Sequence, residues 1–148
     1  MKLSSKARYG LKAMCYMADH YGEGVISLST MSSSIGVSEK YLEQLISTLR
    51  KAGLISANRG ANGGYFLSKD PVDISVGDII RALEDGLVII DCLSGECDSK
   101  CGCSTNPCSC EGDGKCNCST YNVWNKLYEA INDCLDGMSL SSLINKEV

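Results

Sequence analysis

The stretch that most limits the fold is SLSTMSSSIGVSEKYLEQLISTLRKAGLISANRGANGGYFLS, residues 27–68. Glycines divide it into pieces with different periodicities. Residues 28–35 form a short candidate helix that stops at Gly36, since glycine readily adopts the left-handed backbone that ends a helix. Ser38 can cap the next helix, because its hydroxyl can accept a first-turn N–H. In that helix Leu42, Leu45, Ile46 and Leu49 recur at steps of three and four, which makes one buried stripe. Lys40, Glu43, Gln44, Ser47 and Lys51 fall largely on other faces. Arg50 and Lys51 suit the helix C-terminus, and Gly53 is the expected C-cap. Leu54–Asn58 and Tyr65–Ser68 then read as two short strands. Between them residues 59–64 form a flexible tip, with Asn62-Gly63 as the turn signal.

Two helices across a tight glycine-containing turn, the second polar outside, match a helix-turn-helix. A hairpin directly after it makes a winged helix, and Arg59 at the hairpin tip is placed to enter a minor groove. The fold class expected is therefore mostly α with a small β wing.

The flanks extend this domain. Residues 4–21 have helical spacing, with Leu11, Met14, Cys15 and Ala18 on one face, and Gly22 and Gly24 end the run. Cys15 reads as a small core residue. Ser75 to Asp78 resembles a capping box opening a helix through Ile79, Ile80 and Leu83. From Asp85 to Ser119 no period is visible, and a stretch this long without one is usually functional or disordered. Helical spacing returns over 120–136, where Trp124, Leu127, Ile131 and Cys134 form an apolar seam suited to dimerisation or to packing on the chain's own domain. Met138–Ile144 is a last short helix. The expected organisation is a DNA-binding domain over 1–85, a cysteine-rich loop over 86–119 and a dimerisation helix with its tail over 120–148.

The net charge of −4 hides an asymmetry. Residues 1–69 carry nine Lys/Arg and four Asp/Glu, a net +5, whereas residues 70–148 carry five and fourteen, a net −9. The first half is thus the one expected to face a polyanion. No run approaches the roughly 18 apolar residues a membrane helix needs, and no signal-peptide core follows the N-terminus. A soluble, cytoplasmic protein without a membrane partner is expected.

Of the ten cysteines, eight stand between Cys92 and Cys118. Six of them form Cys-x-Cys pairs: Cys101/Cys103, Cys108/Cys110 and Cys116/Cys118. In a reducing compartment such a cluster points to metal binding or redox chemistry rather than structural bridges. Three chemistries fit: an iron–sulfur cluster, which soft thiolates hold well; a zinc or copper(I) thiolate cluster; or a thiol switch that forms disulfides on oxidation. No thioredoxin-like pattern surrounds the pairs, so an enzyme is not expected.

LSSKARYGLKAM, SEKYLEQLISTLRKAGLI, RGANGGYFLSKDP and ISVGDIIRALE, in that order, closely resemble the IscR-type bacterial winged-helix transcriptional regulators, a family that also includes NsrR, RirA and CymR. The likeness covers residues 1–92 and resumes at Cys118-Ser-Thr-Tyr-Asn-Val-Trp124. The resemblance implies a homodimer on double-stranded DNA at a palindromic operator, acting as a repressor. It implies base and backbone contacts from Ser38, Lys40, Tyr41, Glu43, Gln44 and Arg59. It also implies that Cys92, Cys97 and Cys118 ligate an iron–sulfur cluster of the [2Fe-2S] type, with Cys101, Cys103 and Cys116 as alternates. On that reading the protein senses cluster, iron or redox status. The alternatives are zinc or copper(I) in the same loop, or a CymR-like repressor of cysteine metabolism. The chain departs from the pattern in two ways. Tyr121 stands where a histidine ligand is expected, and the loop is longer, with extra thiols. The only histidine, His20, reads as a surface residue.

Overall fold

The computed structural model describes residues 4–60, 62–84 and 120–145. Helix α1 (Ser5–Asp19) begins at Ser4, whose hydroxyl accepts the Lys6 N–H at 3.1 Å. Its buried face consists of Ala7, Gly10, Ala13, Met14, Met17 and Ala18. Leu11 and Cys15, expected on that face, sit half-buried at its edge. Small residues take the central positions because Leu83 packs directly against Gly10. His20 caps the helix, and its Nδ1 donates to the Tyr16 carbonyl at 2.8 Å.

Helix α2 (Leu28–Ile35) is capped by Ser27 and ends at Gly36, whose φ of 78° lies in the left-handed region. Helix α3 (Glu39–Lys51) follows after three residues, Gly36, Val37 and Ser38. Leu42, Leu45, Ile46 and Leu49 are all buried, as the spacing requires. The cap residue at its far end is Ala52 rather than Gly53, which follows with φ 76°. Strands β1 (Ile55–Asn58) and β2 (Gly64–Leu67) pair antiparallel, with Ile55 opposite Leu67 and Asn58 opposite Gly64. The turn is closed from the Gly63 N–H to the Gly60 carbonyl at 3.0 Å, so Gly63 closes the turn instead of lying at its centre beside Asn62.

Ile26 pairs with Tyr65 as a one-residue third strand, with N–H to carbonyl distances of 2.9 and 2.8 Å in the two directions. The wing is therefore fastened to the segment that opens the helix-turn-helix. A single 3₁₀ turn (Pro71–Asp73) leads to α4 (Val76–Leu83), whose cap Ser75 accepts the Asp78 N–H at 3.0 Å.

The chain forms two compact units. Described residues 4–84 and 135–145 make the first. In it Val76 N–H donates to the Met138 carbonyl at 2.9 Å and Leu140 N–H to the Ile74 carbonyl at 2.8 Å. Helix α6 (Leu140–Ile144) thus docks on the core, with Leu140 fully buried beside Ile74 and Ile79. Arg81 spans from Asp78 (3.3 Å) to Asp136 and braces the same junction. The second unit holds helix α5 (Tyr121–Asp136) as far as Cys134. Helix α5 has no buried residue, and Val123, Trp124 and Leu127 are 62%, 38% and 43% exposed. Among the described residues no helix is long and apolar enough to cross a membrane.

Candidate nucleic-acid interface

The stripe that buries α3 decides which of its side chains remain available. With Leu42, Leu45, Ile46 and Leu49 turned into the core, Lys40, Glu43, Gln44 and Ser47 are left exposed. Their spacing of three, one and three residues puts them on one face. That face offers an ammonium, a carboxylate and an amide, the set able to meet phosphates and base edges.

Ser38 sits at the start of α3, where its hydroxyl accepts the Tyr41 N–H at 3.3 Å. Its acceptor capacity serves the helix, and its O–H remains a possible donor to an anion. Tyr41 is half-buried, since its ring packs edge-on against Tyr9 of α1, with centroids 6.1 Å apart and planes at 87°. Arg59 is exposed directly after β1, at the base of the wing turn. Helix α3 leads into β1 through one short turn, closed by the Gly53 and Leu54 N–H groups on the Arg50 and Leu49 carbonyls, so the helix face and the wing are directly connected.

Three side chains beside this face were not singled out by sequence reasoning. The Arg8 guanidinium carbon lies 4.9 Å from the centre of the Tyr9 ring, and the Lys12 ammonium lies 5.6 Å from it. Arg8 also donates to the Tyr9 hydroxyl at 3.4 Å. Contacts of this kind contribute about 0.5–1 kcal/mol at exposed sites. Arg8 and Lys12, four residues apart on a helix, were the visible signal. The contact of Tyr9 with Tyr41 had none, because it is tertiary.

Cys92, Cys97 and Cys118, and the alternates Cys101, Cys103 and Cys116, lie outside the described residues. Among the described residues no three His, Cys, Asp or Glu side chains come together to hold a metal. The two described cysteines, Cys15 and Cys134, are free thiols. Burial, and secondarily the Asp19 carboxylate, pushes the Cys15 thiol above its ordinary pKa. It is thereby kept protonated, a poor ligand and a poor nucleophile.

The family model described as Rrf2, iron-dependent transcriptional regulator, matches residues 3–146. The chain is 37% identical over 143 residues to the HTH-type transcriptional regulator CymR of Bacillus subtilis, covering 97% of this chain and 89% of that protein. It is 38% identical over 147 residues to the HTH-type transcriptional regulator IscR of Serratia proteamaculans, covering 99% and 81%. Among solved structures T. potens IscR superposes with a TM-score of 0.73 at 38% identity, over 100% of this chain and 89% of that one.

Proposed function

The chain belongs to the Rrf2 family of winged-helix transcriptional regulators, whose matched members are regulators rather than enzymes, and from that premise we propose that it regulates genes in response to the state of an iron–sulfur cluster held by its cysteine-rich segment. The observation that carries the DNA-reading part is the exposed face of Lys40, Glu43 and Gln44 on a helix continuous with the Arg59 wing. In this reading α3 lies in the major groove. Lys40 meets phosphate or a base edge, Glu43 accepts from a cytosine amino group, and Gln44 reads an adjacent edge. Ser38 and Tyr41 position the helix against the backbone, and Arg59 enters the neighbouring minor groove. The exposed apolar residues of α5 support a homodimer, which would place two such units on a palindromic operator.

The sensing part rests on donor chemistry. Cys92, Cys97 and Cys118 supply three thiolates, the ligand type iron–sulfur clusters take. Cys101, Cys103 and Cys116 are the reserve ligands in a segment with more thiols than one cluster needs. When bound, the cluster would make the segment's conformation depend on iron supply and oxidation. The matched name IscR supports this reading. The similarity to CymR, the global cysteine regulator of B. subtilis, favours a second reading: the thiols themselves, or zinc or copper(I) bound to them, report cysteine or redox status.

Two measurements test these readings. The first is a gel shift with a duplex taken from upstream of the chain's own gene. Sequence-specific binding that is lost on Arg59→Ala is expected, and no binding by the wild type would overturn the DNA-reading assignment. The second is anaerobic purification with a visible spectrum and assays for iron, acid-labile sulfide, zinc and copper. A coloured protein with iron and sulfide is expected. A colourless protein with stoichiometric zinc and no sulfide would replace the cluster by the second reading.

A further inference from the structure

The cluster of Arg8, Tyr9 and Lys12 has no role in the recognition face described above, yet it adjoins that face. Tyr9 is the hinge of the arrangement. Its ring holds Arg8 and Lys12 at 4.9 and 5.6 Å and meets Tyr41, in the first turn of α3, edge-on at 6.1 Å. Arg8 and Lys12 are both exposed, and among the described residues neither has a carboxylate as an ion-pair partner. Two cations held against one aromatic ring, with no described anion to neutralise them, suit phosphate contacts. Arg8 offers a planar fork and Lys12 a point charge, so each can meet backbone phosphate oxygens.

The geometry points to Arg8 and Lys12 of α1 as a second, sequence-independent anchor on the DNA backbone, positioned by Tyr9 against Tyr41 so that the recognition helix enters the groove in a fixed register. This rests on the DNA-reading assignment proposed above. Neither residue reads a base: they set where α3 sits, and Lys40, Glu43 and Gln44 then read sequence.

The test is the salt dependence of binding by the full chain. Fluorescence anisotropy would be recorded with the upstream duplex, and with a scrambled duplex of equal length, from about 50 to about 200 mM potassium chloride, a range over which phosphate contacts weaken markedly. Each of Arg8→Ala and Lys12→Ala should lower the slope of log K against log salt by about 0.9. Each should weaken both duplexes by the same factor, leaving the ratio between them unchanged. Arg8→Lys and Lys12→Arg, which keep the charge, should keep the wild-type slope. Circular dichroism melts of all four variants establish that they fold. An unchanged slope in both alanine variants overturns the anchor, as does a loss confined to the upstream duplex or a charge-keeping variant that behaves like alanine. If the wild type binds neither duplex, the DNA-reading assignment itself falls. If it binds and the slopes do not move, only the anchor does.

Discussion

Glu84 accepts two hydrogen bonds from Ser4, one from the backbone N–H at 2.9 Å and one from the hydroxyl at 2.5 Å, across 80 residues of chain. A carboxylate that receives two donors makes charge-assisted bonds, stronger than neutral ones. The pair joins the cap of α1 to the residue after α4, the last described residue before the cysteine-rich segment. Glu84→Ala should cost about 1–2 kcal/mol, since both groups are partly solvated. For a chain of this size that lowers the thermal midpoint by roughly 2–8 °C. Equal melting curves for wild type and variant would show that the contact carries nothing.

Ser38 has two assignments that mutation can separate. As an N-cap its replacement by alanine should cost about 1 kcal/mol, and replacement by glycine only a few tenths. If the hydroxyl also donates to DNA, Ser38→Gly should weaken operator binding as much as Ser38→Ala while leaving stability nearly intact. Affinity that merely follows stability through the two variants would leave the cap as the residue's whole role.

Gly64 stands where β2 meets the Ile26 bridge. A Cβ there would come within 2.6 Å of the Ile26 carbonyl oxygen, a backbone atom that cannot swing away. Gly64→Ala should therefore destabilise by about 1–3 kcal/mol, the usual range for overpacking, and loosen the wing that carries Arg59. Urea unfolding reads the first effect, and amide exchange at Tyr65 reads the second. Retained protection at Tyr65 would mean that the wing does not depend on this bridge.

Cys15 and Cys134 should differ in reactivity. Burial and Asp19 raise the Cys15 pKa, so its thiolate forms only at higher pH than an ordinary cysteine's, whereas Cys134 is exposed. Iodoacetamide should label Cys134 first, and Cys15 labelling should rise only at alkaline pH. The sign for stability follows. The protonated thiol is favoured in the folded state, so its contribution is present at neutral pH and is lost as pH rises past the unfolded-state value. Cys15→Ala should remove that part of the alkaline destabilisation. Equal labelling rates at neutral pH would contradict the burial of this thiol.

What was legible in the sequence was whatever repeats locally. The four-residue stripe of α3, the serine caps at Ser38 and Ser75 and the halt at Gly36 each follow from neighbours within one turn. What was illegible depends on distant partners. The face of α1 is rotated from the simplest apolar reading because Leu83 takes the space over Gly10. The Ile26–Tyr65 bridge is one residue long and leaves no period. The α3 face was readable because burying one stripe exposes the complementary one, whereas Tyr9 joined the site only through a tertiary contact with Tyr41. For the thiols of 92–118 the sequence remains the whole basis, since they lie outside the described residues.

The docking of α6 through Val76, Met138, Ile74 and Leu140 has an engineering consequence. The DNA-reading unit is sealed on both sides of the intervening segment, by Ser4 with Glu84 on one side and by α6 with the core on the other. Everything between Glu84 and Leu135 is, topologically, an insert. Closing a longer flexible insert grows costlier only logarithmically, by about 0.6 kcal/mol per doubling of length. A protein engineer can therefore lengthen or shorten the segment between Glu84 and Leu135 at little cost to the unit that carries α3 and the wing.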